Sequence, residues 1–147
     1  PQDVPLIQTL ANPLVFGHSI MVPMLAANVA AAKIHLSNEI DILQNHLWHN
    51  VRLFDSLTHN RLLNAGVQSP VRGAFFETEG DGLKACRILR ANGILMFPVF
   101  YPIIAKGKAM LRFAFSAAHT ENDIQQLADS LSEVAHAGLW KTHMAPA

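Results

Sequence analysis

Hydrophobic residues recur at helical spacing in four parts of the chain. From Pro23 to about His35 the sequence is rich in alanine and apolar on all sides, which predicts a buried helix with proline in its first turn. A second helix follows the cap at Ser37, a third starts at Asp81 and stops at Asn92-Gly93, and a fourth starts at Thr120. The second helix has the clearest apolar stripe, formed by Ile40, Leu43, Leu47, Val51, Phe54 and Leu57. The stripe of the fourth helix consists of Ile124, Leu127, Leu131 and Val134.

Short apolar runs bounded by turn residues predict three strands. They cover 71–77, 94–97 and 110–115, and the last two are separated by a long connection that contains Pro98, Pro102 and the turn at Gly107. The resulting order is helix, helix, strand, helix, strand, strand, helix. This order favours an α+β fold with a small, mainly antiparallel sheet covered by helices on one face.

The N-terminal part of the chain differs in composition from the rest. Residues 1–18 contain Pro1, Pro5, Pro13 and Gly17, which predicts an irregular arm that lies on another surface. We therefore expect two parts: an arm and buried helix over 1–36, linked to a large domain that this sequence does not contain, and a small C-terminal domain over 37–147. The first residue is not methionine, so we expect sequence upstream.

Charge and cysteine content exclude several classes of protein. The chain has 11 basic and 11 acidic residues among 147, so no broad basic surface favours nucleic acid or an anionic membrane. The most apolar early stretch, 20–34, contains Pro23 and Lys33 and is too short to span a bilayer. Cys86 is the only cysteine and has no partner for an internal disulfide. We expect a protein of a reducing compartment, the cytoplasm, whose partners are small molecules or proteins.

One long segment carries a family resemblance. Residues 97–113, FPVFYPIIAKGKAMLRF, are followed by SAAHTENDI over 116–124. The combination of an apolar strand, a proline-containing loop, a glycine, an L-R strand and S-A-A-H-T before an acidic helix start resembles the C-terminal signature of the α-oxoamine synthases. Weaker similarity extends over nearly the whole chain, including 16–23, 47–52 and 69–71.

The resemblance implies a pyridoxal 5'-phosphate (PLP)-dependent transferase of fold type I. Such acyltransferases condense an amino acid with an acyl-CoA or acyl-carrier thioester, with loss of carbon dioxide, and work as homodimers. Their Schiff-base lysine follows a Ser/Thr-x-x-Lys pattern that none of the five lysines of this sequence matches, so we predict that the isolated chain is inactive and assign no catalytic residue. The alternatives are another aminotransferase-like activity on the same fold, or a non-catalytic module for dimerisation or interaction.

Arg112 is the main candidate for substrate binding. An unpaired guanidinium is costly to bury in an apolar strand, and a carboxylate would satisfy its planar fork. The resemblance implies that the arginine of the L-R motif binds the carboxylate of the amino-acid substrate. A structural ion pair is the alternative. Because side chains alternate along a strand, Arg112 should point away from the core if Leu111 and Phe113 point into it.

Several other polar residues are weaker candidates. By resemblance, His18 and Ser19 occupy the place of a segment that reaches the cofactor phosphate of the neighbouring subunit, although the local sequence departs from the family pattern. His119 is expected to anchor a loop or cap. His46 and His49 have a spacing compatible with a metal site, but without a third ligand we predict no metal there. Lys106 and Lys108 could steer an anionic substrate or serve only as turn residues; this choice stays open.

Overall fold

The fold is known from a computed structural model, and the structure describes residues 4–10 and 20–140. The chain divides into two compact units, Pro1–Ile40 and Asp41–Ala147. The helices are α1 (Val4–Leu10), α2 (Val22–His35), α3 (Glu39–Leu57), α4 (Glu79–Ala91) and α5 (Glu121–His136). The strands are β1 (Val71–Phe76), β2 (Pro98–Val99) and β3 (Ala109–Ala114).

The first unit contains α1 and α2. The prediction of an irregular arm is wrong for Val4–Leu10, which is helical; Pro5 lies in its first turn, where the missing amide hydrogen is tolerated. The predicted helix from Pro23 to His35 is confirmed as α2. Within the described residues, no residue of α2 is buried, and apolar side chains such as Val22 and Met24 are exposed. The surface that we expect to cover α2 therefore stays a prediction.

The second unit is built on a three-stranded antiparallel sheet in the order β1-β3-β2. The register places Gly73 opposite Arg112 and Pro98 opposite Leu111. This arrangement confirms the expected α+β class with a small antiparallel sheet.

The core lies on one face of this sheet. Phe54 of α3 packs against Phe113 and Phe115, with ring centroids 5.7 and 4.8 Å apart. Helices α4 and α5 complete this layer through Leu89 of α4 and, from α5, the predicted stripe of Ile124, Leu131 and Val134 with half-buried Leu127. Helix α4 begins at Glu79, two residues earlier than predicted, because Thr78 caps it by accepting a hydrogen bond from the amide of Asp81.

The strand predicted over 94–97 is wrong in position, because the ladder with β3 contains only Pro98 and Val99. The segment before β2 is instead fixed at its start to α5. The carbonyl oxygen of Asn92 accepts a hydrogen bond from Gln126 at 2.7 Å, and its amide side chain donates to Glu133 at 2.8 Å. These contacts hold the chain near α5, and a cleft of about 400 Å³ lies between residues 93–96 and the end of β3.

Candidate functional site on the open face of the sheet

From residue 111 to residue 114, the side chains of β3 alternate between a buried core face and an exposed face, the open face. Leu111 and Phe113 are 0% and 2% exposed, whereas Arg112 between them is exposed. The predicted alternation at Arg112 is thus observed. Within residues 4–10 and 20–140, the guanidinium of Arg112 makes no hydrogen bond and no ion pair. The guanidinium is therefore available for an external anion on the face opposite the helices.

The surroundings of Arg112 on this face are small or apolar. Its cross-strand partner is Gly73, which has no side chain. The next residue of β3 on the same face is Met110, which is 8% exposed and pairs with Phe75 and Val99. An exposed arginine whose cross-strand partner is glycine and whose same-face neighbour in the strand is apolar has the features of a carboxylate-binding group.

A second arginine in the sheet has the opposite environment. Arg72 of β1 is 1% exposed, and its Nε and Nη2 donate to the two carboxylate oxygens of Asp55 at 2.6 and 2.7 Å. The remaining donors bond to the backbone carbonyls of Ser69, Val71 and Val67. All five N–H groups of this guanidinium are used, so Arg72 is a structural residue. Sequence reasoning missed this pair.

Helix α3 holds the loop that follows β3. Asn50 is 1% exposed, and its side-chain amide donates to the carbonyl oxygens of Ser116 and His119 at 3.2 and 2.8 Å. His46 Nδ1 lies 3.2 Å from the carbonyl oxygen of Ala117, and His49 Nε2 lies 2.8 Å from the carboxylate of Glu121. These contacts fix the S-A-A-H-T segment and with it the end of β3.

His119 and Thr120 close this loop onto α5. The amide of Ser116 donates to His119 Nδ1 at 3.1 Å, which is a loop-anchoring contact. Thr120 and Asp123 form a reciprocal capping box. Hydrogen bonds from the amide and hydroxyl of Thr120, together with the nearby His119, hold the pKa of Asp123 below its ordinary value.

The remaining candidate residues lie away from Arg112 or outside the described residues. His18 and Ser19 lie outside the described residues. The described residues contain no group of three metal-ligating side chains; His46 contacts Ala117 of the loop after β3, and His49 contacts Glu121 at the start of α5. Lys108 lies 3.2 Å from Glu77, whereas Lys106 is exposed in the turn. Burial raises the pKa of the Cys86 thiol, which packs against the core.

With this geometry in hand, comparison with known proteins shows the family. The sequence profile described as "Aminotransferase class I and II" matches residues 5–131. The chain belongs to this family. It is 33% identical over 126 residues to 8-amino-7-oxononanoate synthase of Beijerinckia indica, covering 86% of the chain and 31% of that enzyme. Serine palmitoyltransferase of Bacteriovorax stolpii is 26% identical over 119 residues, covering 80% of the chain and 28% of the enzyme.

Solved structures show the same fold. A serine palmitoyltransferase of Sphingomonas wittichii has a TM-score of 0.76 at 20% identity and covers 92% of this chain, which spans 34% of it. An 8-amino-7-oxononanoate synthase of Francisella tularensis has a TM-score of 0.68 at 21% identity, covering 91% of this chain and 39% of that one. These relatives of the chain are α-oxoamine synthases. The resemblance to that group seen in the sequence is therefore confirmed. The chain spans about a third of the length of the relatives it matches.

The cofactor of this family is PLP, and one solved relative is a complex of SPT with PLP. Among the lysines of the described residues, Lys33 and Lys106 are exposed, Lys84 lies beside Asp81 and Lys108 beside Glu77. All four lysine side chains are thus solvent-accessible, and two of them are paired with carboxylates, which is not the setting of a buried, unpaired amine that holds a cofactor covalently. The Arg112 guanidinium, in contrast, is exposed and has the planar fork that pairs with a carboxylate. No helix in the described part of the chain is long and apolar enough to cross a bilayer.

Proposed function

We propose that this chain is the C-terminal part of a PLP-dependent acyltransferase that condenses an amino acid with an acyl thioester and releases carbon dioxide. The observation that carries the proposal is Arg112, exposed on the open face of the sheet without an ion pair in the described structure. Its planar fork matches a carboxylate, and its place in the L-R strand before S-A-A-H-T agrees with the α-oxoamine synthase relatives.

The role of this chain is to bind and orient the amino acid. When bound in the complete enzyme, the cofactor supplies the electron sink for the carbanion chemistry. Two parallel hydrogen bonds from Arg112 to the carboxylate fix both position and rotation of the substrate, which a single contact cannot do. Asn50 and the two α3 histidines keep the end of β3 in place, so the guanidinium is carried by a rigid strand.

Arg112→Lys in the complete enzyme tests this role. The charge remains but the bidentate geometry is lost, so the Michaelis constant for the amino acid should rise roughly tenfold to a hundredfold. The constant for the thioester should change little. Arg61→Lys is the matched control, because Arg61 is an exposed arginine in the turn after α3. Equal effects on both substrates, or none on either, would remove Arg112 from the amino-acid site.

We further propose that the complete enzyme is a cytoplasmic homodimer in which α2 is covered by a large PLP-binding domain or by a second copy. Support comes from α2 itself, where Val22, Met24, Leu25 and Val29 are each between 48% and 78% exposed. Apolar surface of this kind marks a protein interface. Solution scattering of the complete protein, whose length should be roughly 400 residues for a two-domain enzyme, distinguishes a dimer from a monomer.

Two alternatives predict different products. An aminotransferase would convert its amino donor into an oxo acid, whereas the proposed acyltransferase releases a free thiol from the thioester. A non-catalytic module would do neither, even when expressed with all of its native sequence. The S-A-A-H-T segment favours the acyltransferase, and assays for thiol and oxo acid on the same sample separate the three.

A further inference from the structure

The position opposite Arg112 in the sheet has an unusual occupant. Gly73 is paired with Arg112 in the β1–β3 register, so a side chain at residue 73 would lie beside the arginine on the same face. The backbone does not require glycine here, because Gly73 lies outside the left-handed region. The reason for a small residue must therefore be the space next to it.

That space is filled by Met110. A Cβ atom added at Gly73 would lie 3.0 Å from the sulfur of Met110 and 3.4 Å from Cβ of Leu63. The thioether thus occupies the place that a side chain opposite Arg112 would fill. Met110 precedes Arg112 by two positions, so both side chains are on the same face of β3.

We propose that Gly73 and Met110 together position Arg112 for the substrate carboxylate, an inference that rests on the proposed function of Arg112. Gly73 leaves the space empty, and Met110 fills it with a flexible apolar group that supplies a floor for the aliphatic stem of the arginine. Because Gly73 has no side chain and the Met110 thioether is only a weak hydrogen-bond acceptor, neither residue competes with a ligand carboxylate for the guanidinium. Gly73 acts only through Met110 and does not touch substrate.

A double-mutant cycle in the complete enzyme tests the pair. The readout is the equilibrium dissociation constant for a small amino acid, measured with glycine, L-alanine and L-serine through the change in cofactor absorbance. Gly73→Ala should displace Met110 and raise this constant roughly three- to tenfold, as expected for coupled side chains in contact. In a Met110→Ala background the same substitution should change it less than about twofold, because no thioether remains to be displaced.

Gly82→Ala is the matched control for a general loss of stability. Gly82 of α4 also packs against β3, but on the core face, where an added Cβ would collide with the side chain of Ala109. This variant should lower the melting temperature and leave the dissociation constant unchanged.

If Gly82→Ala raises that constant as much as Gly73→Ala does, or if the two effects of the cycle are additive, the positioning role is wrong. If Gly73→Ala has no effect while Arg112→Lys weakens binding, the pair is irrelevant and the proposed function stands. If Arg112→Lys has no effect either, both proposals fail.

Discussion

Arg72 and Arg112 lie in neighbouring strands of one sheet and point to opposite faces. On the core face, Arg72 is 1% exposed and uses all five donors, two of them on Asp55. On the open face, Arg112 is exposed and has no partner in the described part of the chain. The same residue type therefore occurs in two opposite environments in neighbouring strands. A guanidinium whose donors all bond to groups of the same chain supports the fold. A guanidinium whose donors have no such partner, on a rigid strand, is available to a ligand.

The largest effect is expected from a substitution that breaks the ion pair between Arg72 and Asp55 on the core face. Arg72→Met leaves the Asp55 carboxylate buried without its partner and should lower the free energy of unfolding by about 3–5 kcal/mol. The counterpart Arg112→Met removes an exposed side chain and should change stability by less than about 0.5 kcal/mol. Urea unfolding of both variants checks the contrast, and similar losses in the two would abolish the distinction between the faces.

A smaller loss is expected where α3 holds the loop after β3. Asn50→Ala leaves the carbonyl oxygens of Ser116 and His119 without their buried donor, so unfolding should become easier by about 1–3 kcal/mol. His46→Ala is a milder control, because its single contact to Ala117 is exposed. Hydrogen exchange in residues 116–120 should increase in the Asn50 variant. Unchanged exchange there would mean that the loop is held by other contacts.

The smallest expected effect concerns the cap of α5. Thr120→Ala removes the side-chain half of the capping box and should cost about 1 kcal/mol of stability in urea unfolding. Ser132→Ala, at an exposed position inside the same helix, is the control and should be close to neutral. A loss no larger at Thr120 than at Ser132 would show that the cap contributes nothing.

The same cap predicts a dependence on pH. Because the pKa of Asp123 is lowered in the folded chain, its charge stabilises the fold above the unfolded value of about 3.9. That contribution is lost as the pH falls through the lower, folded pKa. The stability difference between the native chain and Asp123→Asn should therefore be largest near neutral pH and shrink below about pH 4. A difference that is constant from pH 7 to pH 3 would contradict it.

The sequence predicted the periodic elements well and the polar contacts poorly. The apolar stripe of α3 and the capped start of α5 are local signals, and both elements form where expected. The strand over 94–97 failed because its position depends on the distant contacts of Asn92 with α5. Pro5 was taken as a helix breaker, although a first turn tolerates it.

The site shows the same division between local and distant signals. The alternation along β3 was sufficient to place Arg112 on the open face. The rule that an arginine in an apolar strand needs a partner also applied to Arg72, and Asp55 lies four residues after Val51 on the stripe of α3. If the need for a partner had been considered for β1 as well as β3, the ion pair between Arg72 and Asp55 would have been predicted. The position of Gly73 opposite Arg112 could not be predicted, because it depends on the register between β1 and β3.

The central claim is that Arg112 on the open face binds the amino acid, whereas Arg72 on the core face supports the fold. The most direct test measures amino-acid affinity and stability for Arg112→Lys and Arg72→Lys in the complete enzyme. We expect Arg112→Lys to weaken amino-acid binding by roughly tenfold to a hundredfold with stability unchanged. Arg72→Lys loses its bidentate contact to Asp55 and should instead lower stability while the remaining folded enzyme binds the amino acid normally. If Arg112→Lys binds the amino acid normally and unfolds more easily, Arg112 is a structural residue and the central claim is wrong.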